Sequence, residues 1–264
     1  MVTIKQIIIP LISPISRKYY NYAYKKDQDK HYRAVDVRIC LEYICDEIII
    51  MFVSGRDKQN WDKYKLHKKL EVTKKFMDEE VVNRLINAKN IGNAGAHEGE
   101  EGNYTEKDIT DALEAIKDFS LEIFYVYFKK YGFNSQIGLA IPTLFSTLPP
   151  IYRIKILEKY YKFCDNSLFI IDKLSKAYLK AYETEKAKIF LEKCYQKQEI
   201  NDCEYIELIE GMELLEKNMD KLPIAEDLEM SRINFNQLIV ESEKEERDIF
   251  ILLMSMILNG AVKN

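Results

Sequence analysis

The chain has 264 residues and carries 39 Lys and Arg against 43 Asp and Glu, a formal net charge of −4, which excludes strong bulk attraction to nucleic acid or an anionic membrane. Only 9 Gly and 6 Pro interrupt a sequence rich in Lys, Glu, Leu and Ile, so an all-α protein of one large domain or two modest ones is expected. The five cysteines (Cys40, Cys45, Cys164, Cys194 and Cys203) show no CxxC spacing and are read as reduced, mostly buried thiols of a cytoplasmic protein.

Pro10 and Pro14 argue against a long helix before Ser16, and "IIIPLI" (7–12) is too short and too poorly flanked to read as a signal peptide. No apolar run approaches the roughly 18 residues of a membrane span. A tyrosine-rich helix is expected from Ser16 to Lys26. The clearest helix covers 31–53, where Val37, Leu41, Ile44, Ile48 and Met51 recur at helical spacing. Further helices are expected over 63–76 and 78–91, the second with Asp78 as N-cap. Another runs from a capping pair, Thr105 and Asp108, to Gly132. These make an up-down helical bundle.

The Gly, Pro and Ser spacing of "GFNSQIGLAIPTLFSTLPP" (132–150) suggests a domain boundary, giving 1–134 and 135–264. The first part holds 22 basic and 21 acidic residues and the second 17 and 22, so the two differ electrostatically.

Two separated fragments carry a family signature. "VRICLEYICDEII" contains Arg-x-x-Leu-Glu at Arg38, Leu41 and Glu42; "KNIGNAGAH" contains Gly-Asn-x-x-Ala-His at Gly92, Asn93, Ala96 and His97. Over about residues 15–131 the chain resembles the prokaryotic helical domain found in some type I restriction subunits and stand-alone defence proteins, within the HEPN superfamily. The resemblance implies a role in defence against phage or foreign DNA. In active members it implies a metal-independent ribonuclease, with an Arg separated from a His by four to six intervening residues, at a dimer interface. Arg38, Asn93 and His97 would then be the catalytic set, the His moving a proton and the Arg stabilising phosphate charge.

The residues themselves leave two readings open. Arg38 and Glu42 share a helix face and suit a charge-assisted pair, and Asn93 and His97 share another, so Arg38, Glu42, Gly92, Asn93 and His97 form a polar cluster that either packs helices or performs chemistry. The positions where an active relative carries Arg are Asn90, Ile91 and Gly92, and none is basic. Glu98, Glu100 and Glu101 add negative charge beside His97. No catalytic residue is therefore expected, and neither a metal nor a cofactor is implied. Gly92 and Gly95 are expected to permit close backbone approach, and Gly99 and Gly102 to turn the chain.

Residues 55–75 hold eight basic residues interleaved with Trp61, Tyr64 and His67. Arg56, Lys58, Lys63, Lys65, Lys68 and Lys69 are candidates for RNA contact; the alternative is a solvated helix face. "SLFIIDKLSKAYLKAYETEKAKIFLEKCYQKQ" (167–198) resembles a tetratricopeptide hairpin at Ile171, Leu174, Ser175, Tyr178, Ala187, Leu191 and Cys194, which would offer a surface to a protein partner or a second copy of the chain. "IAEDLEMSRINFNQLI" (224–239) resembles a helix-turn-helix, although nine acids against four basic residues over 220–248 argue against DNA. "RDIFILLMSMILNGAV" is expected to be an apolar, Met-rich helix buried within the fold or at a subunit contact. The chain thus reads as an all-α, non-catalytic interaction protein, with a HEPN-type endoribonuclease and a DNA-binding regulator as the alternatives.

Overall fold

The computed structural model describes residues 10–96, 104–133, 136–137, 139–164, 167–240 and 249–259. The fold is all-α apart from a minimal antiparallel pair, β1 (Gln136–Ile137) and β2 (Leu139–Ala140). Two compact units form, Met1–Val126 with Asp248–Asn264, and Tyr127–Arg247. The division falls inside a helix, earlier than the Gly- and Pro-containing stretch that marks the boundary in the sequence. No helix among the described residues is long and apolar enough to cross a membrane.

The first unit is organised around α2 (Lys30–Phe52), with α1 (Ser16–Tyr24), α4 (Leu66–Thr73) and α5 (Glu79–Ala96) packed on it. The apolar residues read from the sequence, Val37, Leu41, Ile44, Ile48 and Met51, are all buried, and Ala34, Cys40, Cys45 and Ile49 widen the buried face on either side of them. A helix apolar over so much of its circumference needs neighbours on several sides. A short α3 (Arg56–Gln59) follows Gly55, whose φ of 69° is readily adopted by glycine. Then α6 (Glu106–Tyr131) starts at the expected cap: Thr105 N–H donates to Asp108 Oδ2 at 2.6 Å and Asp108 N–H to Thr105 Oγ1 at 3.3 Å.

The last helix, α13 (Ile249–Asn259), is buried along nearly all its length. Sequence alone groups it with the second domain, but its contacts group it with the first unit. Phe250 meets Phe124 with ring centroids 5.7 Å apart. Arg17 on α1 donates from Nη2 to the carbonyls of Met256 at 2.9 Å and Ile257 at 2.6 Å. Carbonyls in the last turn of a helix lack intrahelical partners, and a cation there also meets the negative end of the helix dipole.

The second unit opens with an aromatic cluster in which Phe128, Phe133, Phe145 and Tyr160 stack edge-on at centroid distances of 4.7 to 6.4 Å. After α7 (Ile141–Phe145), α8 (Pro150–Phe163) packs on α9 (Leu168–Lys180), and α9 packs on α10 (Thr184–Gln196) and α11 (Asp202–Lys217). All seven hairpin positions identified in the sequence, from Ile171 to Cys194, are buried. The span 224–239 departs from the sequence reading. It holds one helix, α12 (Leu228–Val240), preceded by non-helical residues, and Asp227 Oδ1 accepts from Met230 N–H at 2.8 Å. A helix-turn-helix needs two helices in this span; an N-capping aspartate starts one instead.

Both α9 and α10 end in the same way. Tyr182 has φ of 61° and Glu183 N–H reaches back to Tyr178 O; Gln198 has φ of 58° and Glu199 N–H reaches back to Cys194 O. These are left-handed helix stops filled by residues other than glycine, at a cost of about 1 kcal/mol each. Gln198→Gly is expected to raise stability by up to about 1 kcal/mol in urea denaturation. Lys197→Gly, at φ of −84°, should lower it. The reverse order would show that the left-handed turn carries no strain.

Candidate functional site

The two motifs meet where α5 crosses α2. A Cβ on Gly92 would lie 2.3 Å from Arg38 Cβ and 2.9 Å from Ala34 O. A Cβ on Gly95 would lie 2.6 Å from Ala34 Cβ and 2.8 Å from His31 O. The helices are antiparallel here, since Gly92 lies level with Arg38 and Gly95 with Ala34 and His31. Both glycines perform the role expected from sequence: they let one helix backbone touch the other. Gly99 and Gly102 lie outside the described residues.

The C-terminal end of α5 therefore faces the N-terminal end of α2, where several polar groups converge. Tyr104 Oη is 3.0 Å from His31 Nδ1, with the two rings edge-on. Lys30 Nζ donates to Tyr104 O at 3.1 Å and sits 4.8 Å from the Tyr104 ring centroid. Arg33, fully buried, donates from Nε to Ala23 O at 2.8 Å and pairs through Nη1 with Glu106 Oε2 at 2.5 Å. One imidazole, one phenol and two cations thus tie together the end of α1, the start of α2 and the start of α6. None was singled out by sequence. The signal for Arg33 was its place one turn before Val37 on the apolar stripe of α2.

The expected pair of Arg38 with Glu42 is not what forms. Glu42 Oε1 lies 3.0 Å from Lys69 Nζ, and Asp46 Oδ1 lies 2.6 Å from the same ammonium. Lys69 is only 4% exposed, and its ammonium also sits 5.9 Å from the Trp61 ring centroid. Burial works against its charge, but hydrogen bonds to Asp46 and Glu42 hold the ammonium above the usual lysine range. Burial pushes the Asp46 carboxyl up, against the pull of Lys69. Lys69 was a candidate for RNA contact; buried between two carboxylates and an indole, it is committed to the fold instead. Trp61 covers Lys69, so this aromatic is already engaged. The remaining candidates, Arg56, Lys58, Lys63, Lys65 and Lys68, are exposed, and Lys68 pairs with Glu71 at 2.9 Å.

Arg38 is half-buried, and among the described residues it forms no ion pair. It lies level with Gly92, about 6 Å along the helix axis from Ala96 at four residues of 1.5 Å rise. Asn93 is half-buried on α5. His97, with Glu98, Glu100 and Glu101, lies outside the described residues. The cations at the end of α5, Lys30 and Arg33, are both engaged by the fold. No group of three or more His, Cys, Asp or Glu suited to a metal occurs among the described residues.

Residues 22–146 match the model of a family described as "Domain of unknown function (DUF4145)". This stretch includes both motifs and the whole α2–α5 contact. No curated protein and no solved structure matches the chain.

Two substitutions test this arrangement. Alanine is the better helix former by about 1 kcal/mol, yet Gly92→Ala is expected to lose on the order of 2 kcal/mol or more in urea denaturation, because the new methyl overlaps a neighbouring backbone. Asn90→Ala, at an exposed position, should be neutral or stabilising. Lys69→Met should cost about 3 kcal/mol by leaving two partly buried carboxylates unpaired, against less than about 1 kcal/mol for the exposed Lys68→Met. Equal losses for the two lysines would contradict a buried anchoring role.

Proposed function

We propose that the chain is a non-catalytic helical interaction protein of the cytoplasm. On this reading its first unit is a HEPN-like bundle, and its second unit offers tetratricopeptide-like hairpins to a protein partner or a second copy of itself. The resemblance of the two motifs supplies the setting, an accessory or regulatory part of a prokaryotic defence system against phage or foreign DNA.

The observation that carries the non-catalytic part is the contact at Gly92. One of the positions that supplies the phosphate-stabilising arginine in active relatives is occupied here by a residue with no room for a Cβ. The other two are Asn90 and Ile91, neither of them cationic. Lys30 and Arg33 are held by Tyr104 O, Ala23 O and Glu106, so using either against a scissile phosphate would break bonds that join three helices. What remains of the motif is a packing device.

The interaction part draws on the surface of α10 and α11. Ile189, Ile206 and Leu214 stay exposed there, and a cleft of about 290 Å³ is lined by Lys188, Glu192, Tyr205, Ile206, Ile209 and Glu210. Apolar side chains flanked by charges on helical hairpins suit protein contact better than small-molecule binding.

The purified chain is expected to leave single-stranded RNA intact in the presence of a chelator, and His97→Ala to behave identically. In a phage-challenge assay, His97→Gln should keep whatever protection the wild type gives, and the paired change Ile206→Glu with Leu214→Glu should lose it. RNA cleavage that disappears in His97→Ala, or protection that depends on His97 and not on the hairpin surface, overturns the reading.

A further inference from the structure

The second unit contains a largely buried guanidinium whose Nε has no acceptor among the described residues. Arg153 stands in the first turn of α8 and is more than nine-tenths buried. Its Nε makes no hydrogen bond, and no ion pair to its guanidinium occurs among the described residues. Burial alone drags its pKa down to about 10. Guanidinium groups taken out of water are normally met by carboxylates, carbonyls or bound anions, as Arg33 and Arg17 are in the first unit.

Three more cations gather on the helix that packs against α8. Lys173, Lys176 and Lys180 follow one another at helical spacing on α9. Lys180 is half-buried, and its pKa falls to about 8, first through burial and then through repulsion from Arg153, Lys173 and Lys176. The nearby acid, Asp172, is already shared between Lys173 at 3.0 Å and Lys176 at 2.5 Å. That leaves Arg153 and Lys180, on adjacent helices, without an ion pair among the described residues.

We propose that Arg153 and Lys180, flanked by Lys173 and Lys176, form a binding site for a phosphate group, either the free ion or a phosphoryl group of a small molecule. The charge count favours phosphate over a single carboxylate. Two unpaired cations match a dianion, whereas one carboxylate would leave a buried charge over. A guanidinium fork beside a compact ammonium suits the tetrahedral array of phosphate oxygens. The first turn of α8 adds the positive end of a helix dipole. This site lies wholly in the second unit and is independent of the reading of the first.

The test is thermal denaturation of the full chain, with inorganic phosphate titrated against sodium chloride at constant ionic strength. Wild type should show a saturable rise in Tm, since a ligand that binds only the folded state stabilises it. Arg153→Met should fold, should be at least as stable as wild type without phosphate because an unpaired buried charge is gone, and should bind phosphate about 100-fold more weakly. Lys180→Met should weaken binding about 10-fold, and Lys162→Met, at an exposed position, should change nothing. Glycerol phosphate and succinate form the other arms. A larger rise with the phosphate ester assigns a phosphorylated small molecule; a larger rise with the free ion assigns phosphate itself. No rise in wild type, an equal rise with succinate, or a rise undiminished in both Arg153→Met and Lys180→Met overturns the site.

Discussion

The backbone contact between α5 and α2 at Gly92 and Gly95 is the constraint on which the first unit depends. Helix axes usually stay apart by the width of their side chains, roughly 8 to 10 Å. Two glycines one turn apart remove that width along one stripe and let α5 lie against Ala34 and Arg38. Once this depth is set, the end of α5 is brought level with His31. Around that point Tyr104, Lys30, Arg33 and Glu106 close the junction between α1, α2 and α6. Further along α2, Glu42 and Asp46 meet Lys69 from α4. A stripe that needs glycine for packing cannot also present a side chain from that position.

Buried cations recur through the chain, and their solutions differ in a way that separates structure from function. Arg33 and Lys69 are satisfied by carboxylates and carbonyls within their own unit, and Arg17 by the open end of α13. Each of these cross-links helices far apart in sequence, which fixes relative position more sharply than apolar packing alone. Arg153 cross-links nothing. Burying Nε without an acceptor is unfavourable, and this is the cation on which the proposed phosphate site is built.

The second unit follows a simpler scheme. Consecutive helices pack on their neighbours, and α9 and α10 close with the same left-handed turn one helix apart. The turns join short helices without breaking the stripe of buried residues from Ile171 to Cys194. Such a construction leaves the outer faces free of core duty. Apolar residues such as Ile206 and Leu214 are exposed there.

The helices and their buried stripes are legible in the amino-acid order, because a 3.6-residue period and a cap such as Thr105 with Asp108 are local properties of the chain. That order also determined that Gly92 and Gly95 serve close approach, since glycines inside a helix are otherwise costly. Over 224–239, residues at helix-turn-helix spacing are equally those of a single helix capped by Asp227. Which charges meet is set by the packing of the helices. Arg38 and Glu42 lie four apart on α2, but Glu42 turns to Lys69, an ammonium brought in from another helix, buried and shielded by Trp61. Only the tertiary structure revealed that Arg153, one residue of a stripe with Pro150, Leu157 and Tyr160, is buried with no acceptor at Nε. Burial depends on what the neighbouring helices bring, and no spacing along one helix encodes that.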